Sequence, residues 1–150
     1  MANVLFVDDD PENVWPLALA LESQGHRVSV VTDAGAAMAF MRREFVQCLI
    51  TDYQMPDVDG IRLCQMVRAW PVFSGLPIVL LSAAPEPEGC PRCWSRFLRK
   101  PVQVTLLIEA VDAYIAERLT VARSRCRHAA GRFQYLGAPR WAPVNTTCGP

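Results

Sequence analysis

The chain predicts an α/β fold, a doubly wound five-stranded parallel sheet. Three observations carry this expectation. Short, wholly apolar runs such as Val4-Leu5-Phe6-Val7, Cys48-Leu49-Ile50 and Ile78-Val79-Leu80-Leu81 have the length of buried strands. Stretches with helical spacing of apolar residues lie between them. Chemistry-bearing side chains stand where the apolar runs stop. Strands apolar on both faces, alternating with helices, indicate a parallel sheet covered on each side.

Taken in order, the first strand runs into Asp8-Asp9-Asp10-Pro11, where Asp10 reads as an N-cap and Pro11 as the first helical residue. That helix is expected to reach about Gln24, with Gly25 closing it. Pro16 should kink or delay it, because proline lacks the amide proton an internal turn needs. Arg27 to Val31 is the second strand. Asp33 or Thr32 caps a helix over Ala34 to Phe45. Gln47 to Thr51 is the third strand, and Met55-Pro56 ends regular structure beyond it. Asp59 then caps a helix from Gly60 to Trp70, whose Leu63, Met66, Val67 and Trp70 share one face. Pro77 to Leu81 is the fourth strand, ending at Ser82. Arg96 to Arg99 is a short fifth. Val102 opens a final amphipathic helix through Leu106, Ile108, Val111, Ile115 and Leu119. Between Ser82 and Phe97, three prolines and a glycine replace the expected fourth helix. A loop is predicted there, with at most a turn or two of helix near Cys93 to Arg96.

A length of 150 residues suits one domain, and 51% hydrophobic with 20% charged residues suits a real core. No apolar run has spanning length and no leader is evident, so a soluble, cytoplasmic protein with no membrane partner is expected. Six irregularly spaced cysteines read as reduced thiols. The zero net charge conceals an asymmetry. Residues 1–117 carry all fifteen acids and nine bases, a net of −6, while 118–150 carry six arginines and no acid, a net of +6. Residues 1–122 are read as the folded domain, and 123–150 as a basic, poorly ordered extension.

Four strands end in functional side chains: Asp8 and Asp9, Asp52, Ser82, and Lys100 just past the fifth. In a parallel sheet these ends point one way, so they converge on the edge where such sheets bind ligands. Lys100 is the only lysine in the chain. Carboxylates about 4 Å apart repel by roughly 4 kcal/mol per pair at an effective dielectric of 20, so the cluster needs a cation. An all-oxygen site with few carboxylates favours Mg²⁺.

With Val7-Asp8-Asp9-Asp10, Asp52 before Met55-Pro56 and Asp59-Gly60, Leu81-Ser82-Ala83, and Lys100-Pro101 in order, residues 2–120 resemble the receiver domain of two-component response regulators. The resemblance implies a flavodoxin-like receiver fold, here with a shortened or missing fourth helix. It implies Asp52 as phosphoryl acceptor from a sensor histidine kinase or phosphotransfer protein. Asp8, Asp9, Asp52 and the backbone carbonyl of Gln54 would hold Mg²⁺. Ser82 and Lys100 would bind phosphoryl oxygens, and Phe97 matches the aromatic switch position beside Ser82. The chain then reads as a stand-alone phosphorelay module that switches binding to a downstream protein. Its catalysis would be limited to its own phosphorylation and dephosphorylation.

Departures from the family pattern matter too. The Ser82–Lys100 segment is about four residues short and proline-rich, which alters the usual output face. Cys90-Pro91-Arg92-Cys93 is a CxxC; a structural zinc would need Cys126 and His128 to complete four ligands, so free thiols are the expectation. Cys48 and Cys64 read as packing residues, and His26 as a surface residue without chemistry. The arginine-rich tail supports an alternative reading, a basic-tailed adaptor or nucleic-acid-associated scaffold. No recognition-helix pattern suggests specific DNA binding.

Overall fold

The structure, a computed structural model, describes the backbone of residues 1–132 and the side chains of residues 1–125. Its elements run β1 (Asn3–Val7), α1 (Pro11–Ser23), β2 (Arg27–Val31), α2 (Ala34–Arg43), β3 (Cys48–Asp52), α3 (Gly60–Arg68), a 3₁₀ turn (Pro71–Phe73), β4 (Ile78–Ser82), β5 (Arg96–Arg99) and α4 (Val104–Arg132). The five strands are parallel in the order β2-β1-β3-β4-β5. Chain direction across the sheet reverses between β1 and β3, the crevice where doubly wound sheets bind ligands. One compact unit covers Met1–Arg118, and a second begins at Leu119 within α4. Residues 133–150, which include most of the expected basic extension, lie outside the described part.

Alternation along each strand splits the core into two layers. Leu5, Val7, Leu49 and Leu80 pack with Met38 and Met41 of α2 and Leu63 and Val67 of α3. Val4, Phe6, Ile50, Val79 and Leu81 pack with Val14, Ala18 and Leu21 of α1 and Leu107 and Val111 of α4. Each large side chain so buried contributes about 1.5–3 kcal/mol.

The helix starts follow their caps. The Asp10, Asp33 and Asp59 side chains accept the amides of Glu12, Ala36 and Arg62 at 3.1, 2.7 and 2.7 Å. The delay expected from Pro16 does not occur. Its missing donor would have served Glu12 in the exposed first turn, where water can satisfy the carbonyl. Two helices stop two residues early. Glu44 is extended after α2, and Trp70, biased away from helix by the following Pro71, is extended after α3.

No helix forms between β4 and β5. The segment is a loop, as expected, without even a turn of helix near Cys93, and Ser95 N donates to Ile78 O at 2.7 Å, drawing the chain into the sheet. Trp94 is buried, and its indole N–H donates to Glu86 Oε1 at 2.8 Å, which ties the loop to itself. His26 corrects the surface reading. It is buried, with Nε2 2.9 Å from Asp112 Oδ1 of α4. Gly25, at φ +84°, turns the chain so that His26 points inward.

Candidate functional site

The parallel register explains why distant residues meet. Val7 pairs with Thr51, so Asp8 at the end of β1 stands level with Asp52, the last residue of β3. Asp52 pairs with Leu81 and Leu81 with Leu98. Lys100 lies two residues beyond Leu98, on the same side of the sheet, and its stem reaches back over both acids. Its ammonium is 3.1 Å from Asp52 Oδ1 and 3.3 Å from Asp8 Oδ2. Its backbone N–H donates to Ser82 O at 2.8 Å, and the Lys100-Pro101 peptide bond is cis.

Asp8 and Asp52 are buried, whereas Asp9 is exposed. Asp8 Oδ1 accepts the Asp10 amide at 2.9 Å, which leaves Oδ2 for Lys100. Asp8, Asp9 and Asp52 present carboxylate oxygens within 4.8 Å of one another, the only such metal-competent cluster among the described residues. Burial pushes the Asp52 carboxyl above its ordinary range. Lys100 pulls it back in part, the Asp8 charge raises it again, and the Gln54 amide favours the ionised form. Burial opposes the charge on Lys100, but hydrogen bonding and attraction to Asp52 and Asp8 outweigh it and hold the ammonium pKa above normal. One ammonium among three clustered carboxylates leaves an excess of negative charge, so the donor set fits a hard divalent cation.

Ser82 is buried, and its Oγ accepts the Ala84 amide at 3.0 Å. Phe97 pairs with Leu80 and Arg99 with Ser82, so Phe97 and Ser82 share the α3 side of the sheet. Phe97 is partly buried there against the core. A cleft of about 550 Å³ adjoins the acids, lined by Asp8, Asn13, Pro16, Leu17, Lys100 and Val102 among others.

Sequence reasoning took Gly60 as the start of a helix capped by Asp59, yet it also shapes the site. Its N–H donates to Tyr53 O at 2.9 Å, and a β-carbon would collide with the Asp52 carbonyl oxygen. Arg68 was missed altogether. Its guanidinium donates to the carbonyls of Cys93, Phe73, Ser74 and Leu76, joining the end of α3 to two loops. Cys48 and Cys64 are buried packing residues, as expected. Cys90 and Cys93 are free thiols, and no third metal-binding side chain joins them among the described residues. The side chains of Cys126 and His128 lie outside that set.

Comparison with known proteins agrees with this geometry. A model of the response regulator receiver domain matches residues 4–112. Response regulator PleD of Caulobacter vibrioides is 30% identical over 135 residues, covering 87% of this chain. The match spans only 30% of PleD's own length. An uncharacterized 14.6 kDa protein of Leptolyngbya boryana is 34% identical over 116 residues, covering 75% of this chain and 88% of that one. The crystal structure of a sensor protein from Polaromonas sp. JS666 superposes with a TM-score of 0.71 at 29% identity, covering 77% of this chain and 97% of the other. Fold and site together define a phosphorelay signalling module built on an aspartate cluster and a lysine. The chain belongs to the response regulator receiver domain family. No helix among the described residues is long and apolar enough to cross a membrane.

Proposed function

We propose that Asp52 accepts a phosphoryl group from a phosphohistidine on a sensor kinase or phosphotransfer protein. The observation that carries this reading is the Lys100 ammonium bridging two buried carboxylates beside a third. In the transfer, an Asp52 carboxylate oxygen forms a bond to phosphorus as the phosphorus–nitrogen bond breaks, and the imidazole leaves. Asp8, Asp9, Asp52 and the Gln54 carbonyl would hold Mg²⁺, which when bound offsets the charge of the incoming phosphoryl oxygens. Lys100 then pairs with a phosphoryl oxygen in place of a carboxylate oxygen. Exposed Trp15 and Leu19 on α1, the helix that supplies Asn13 and Pro16 to the cleft, offer an apolar surface to the phosphodonor protein.

Phosphorylation replaces the single negative charge of the Asp52 carboxylate with the nearly two of a phosphoryl group, in a buried setting. The Ser82 hydroxyl already accepts from Ala84, and its own proton is free to turn toward a phosphoryl oxygen. Phe97, on the same side of the sheet, would follow, and the β4–β5 loop would present the change to a downstream protein. Mg²⁺-dependent labelling by a small phosphodonor, abolished in Asp52→Asn, tests the reading. Undiminished labelling of that variant would overturn it.

A further inference from the structure

Cys93 is held over α3 from both ends. Its Sγ donates to the carbonyl of Ile61 at 3.8 Å, and its own carbonyl accepts from Arg68 Nε at 2.9 Å. Cys64 lies between those anchors, three residues after Ile61 and four before Arg68, on the same helix face. Both thiols pack in one apolar cluster, Cys64 fully buried and Cys93 partly exposed. The neighbouring Cys93 thiol is, after burial, the next cause holding the Cys64 thiol in its protonated form. Cys48 is excluded from this neighbourhood because it packs on the opposite side of the sheet, where burial pushes its thiol up to about 12.

We propose that Cys64 and Cys93 are a modification site, a thiol pair closed to a reversible disulfide by exchange with a small oxidised disulfide such as glutathione disulfide. The accessible Cys93 attacks first, forming a mixed disulfide and releasing one glutathione thiol. The Cys64 sulfur then attacks the Cys93 sulfur, its proton passing to the second departing glutathione. Two protein thiols are oxidised and one glutathione disulfide is reduced to two thiols. The bond fastens the loop between Ser82 and β5, which stands where a fourth helix is missing, onto α3. Because burial keeps Cys64 protonated, ring closure is the slow step and quickens with rising pH.

The test treats the reduced full-length chain with glutathione disulfide, alkylates the remaining thiols and maps the peptides by mass spectrometry. A Cys64–Cys93 linked peptide, reversed by dithiothreitol and still formed in Cys90→Ser, is expected. In Cys64→Ala, Cys93 should instead accumulate as its glutathione adduct. A Cys90–Cys93 bond, any other pairing, or an adduct on Cys93 of the unaltered chain that persists at alkaline pH without closing onto Cys64 would overturn the proposal. The unaltered chain and Cys90→Ser decide the matter even if Cys64→Ala fails to fold.

Discussion

The carbonyl oxygen of Asp52 occupies the place a side chain on residue 60 would need, so Gly60 sits directly against the backbone of Asp52. Leu80 Cδ1 closes the same space at 2.9 Å from that missing β-carbon. Gly60→Ala therefore forces backbone rather than a flexible side chain to yield. It should destabilise the fold by about 2–3 kcal/mol, the upper part of the range for overpacking, and lower phosphodonor labelling by moving Asp52. Urea unfolding checks the first effect; an unchanged midpoint would contradict the close approach.

Lys100 should govern the alkaline side of stability. Its folded-state pKa lies above the ordinary 10.5, so its contribution is complete below that value and is lost as pH rises through the folded-state pKa. Lys100→Ala should be less stable than the unaltered protein near neutrality by about 1–2 kcal/mol, since two buried carboxylates lose their shared cation. The difference should shrink in strong alkali. Unfolding curves of the two proteins from neutrality to well above pH 10.5 measure it, and a difference that stays constant into strong alkali would be inconsistent with the bridge.

Asp52 acts with the opposite consequence in the absence of divalent cations. Its pKa is raised above the ordinary 3.8, so the folded state binds its proton more tightly than the unfolded state does. The associated stability is present below the ordinary value and disappears as pH rises through the raised one. At neutral pH, Asp52→Asn should therefore be more stable than the unaltered chain by about 1 kcal/mol, with the gap closing in acid. Mg²⁺ should close it as well, since a ligand at 100 times its Kd stabilises the folded state by about 2.7 kcal/mol. Thermal melts with and without Mg²⁺ test both halves; a variant less stable than its parent in chelator would refute the assignment.

Arg68→Ala removes the donor shared by four loop carbonyls. A loss of about 2–3 kcal/mol is expected, because hydrogen bonds to a charged group are each stronger than neutral ones. Arg68→Lys should recover only part, lacking the planar fork. Hydrogen exchange should quicken at Cys93 and Leu76 first, and unchanged protection there would argue against the anchoring role.

The site was legible in sequence because a parallel sheet brings its strand ends to one edge, so Asp8, Asp52, Ser82 and Lys100 needed only correct strand assignment to converge. Their apolar runs were short and unmistakable. The three capping aspartates were legible for the same local reason. Arg68 left no trace, since its partners are backbone carbonyls that any residue could supply. His26 was misread because the turn at Gly25, not the polarity of the residue, decides which way it points. The nearness of Cys93 to Cys64 depends on the path of a loop that has no period to read.

Intact-mass and peptide mass spectrometry after exposure to a small phosphodonor with Mg²⁺ tests the central claim most directly. One phosphoryl group on Asp52, absent in chelator and absent from Asp52→Asn, is the result expected. A phosphoryl group on another residue, or none under conditions where the protein is folded and Mg²⁺ is bound, would contradict it.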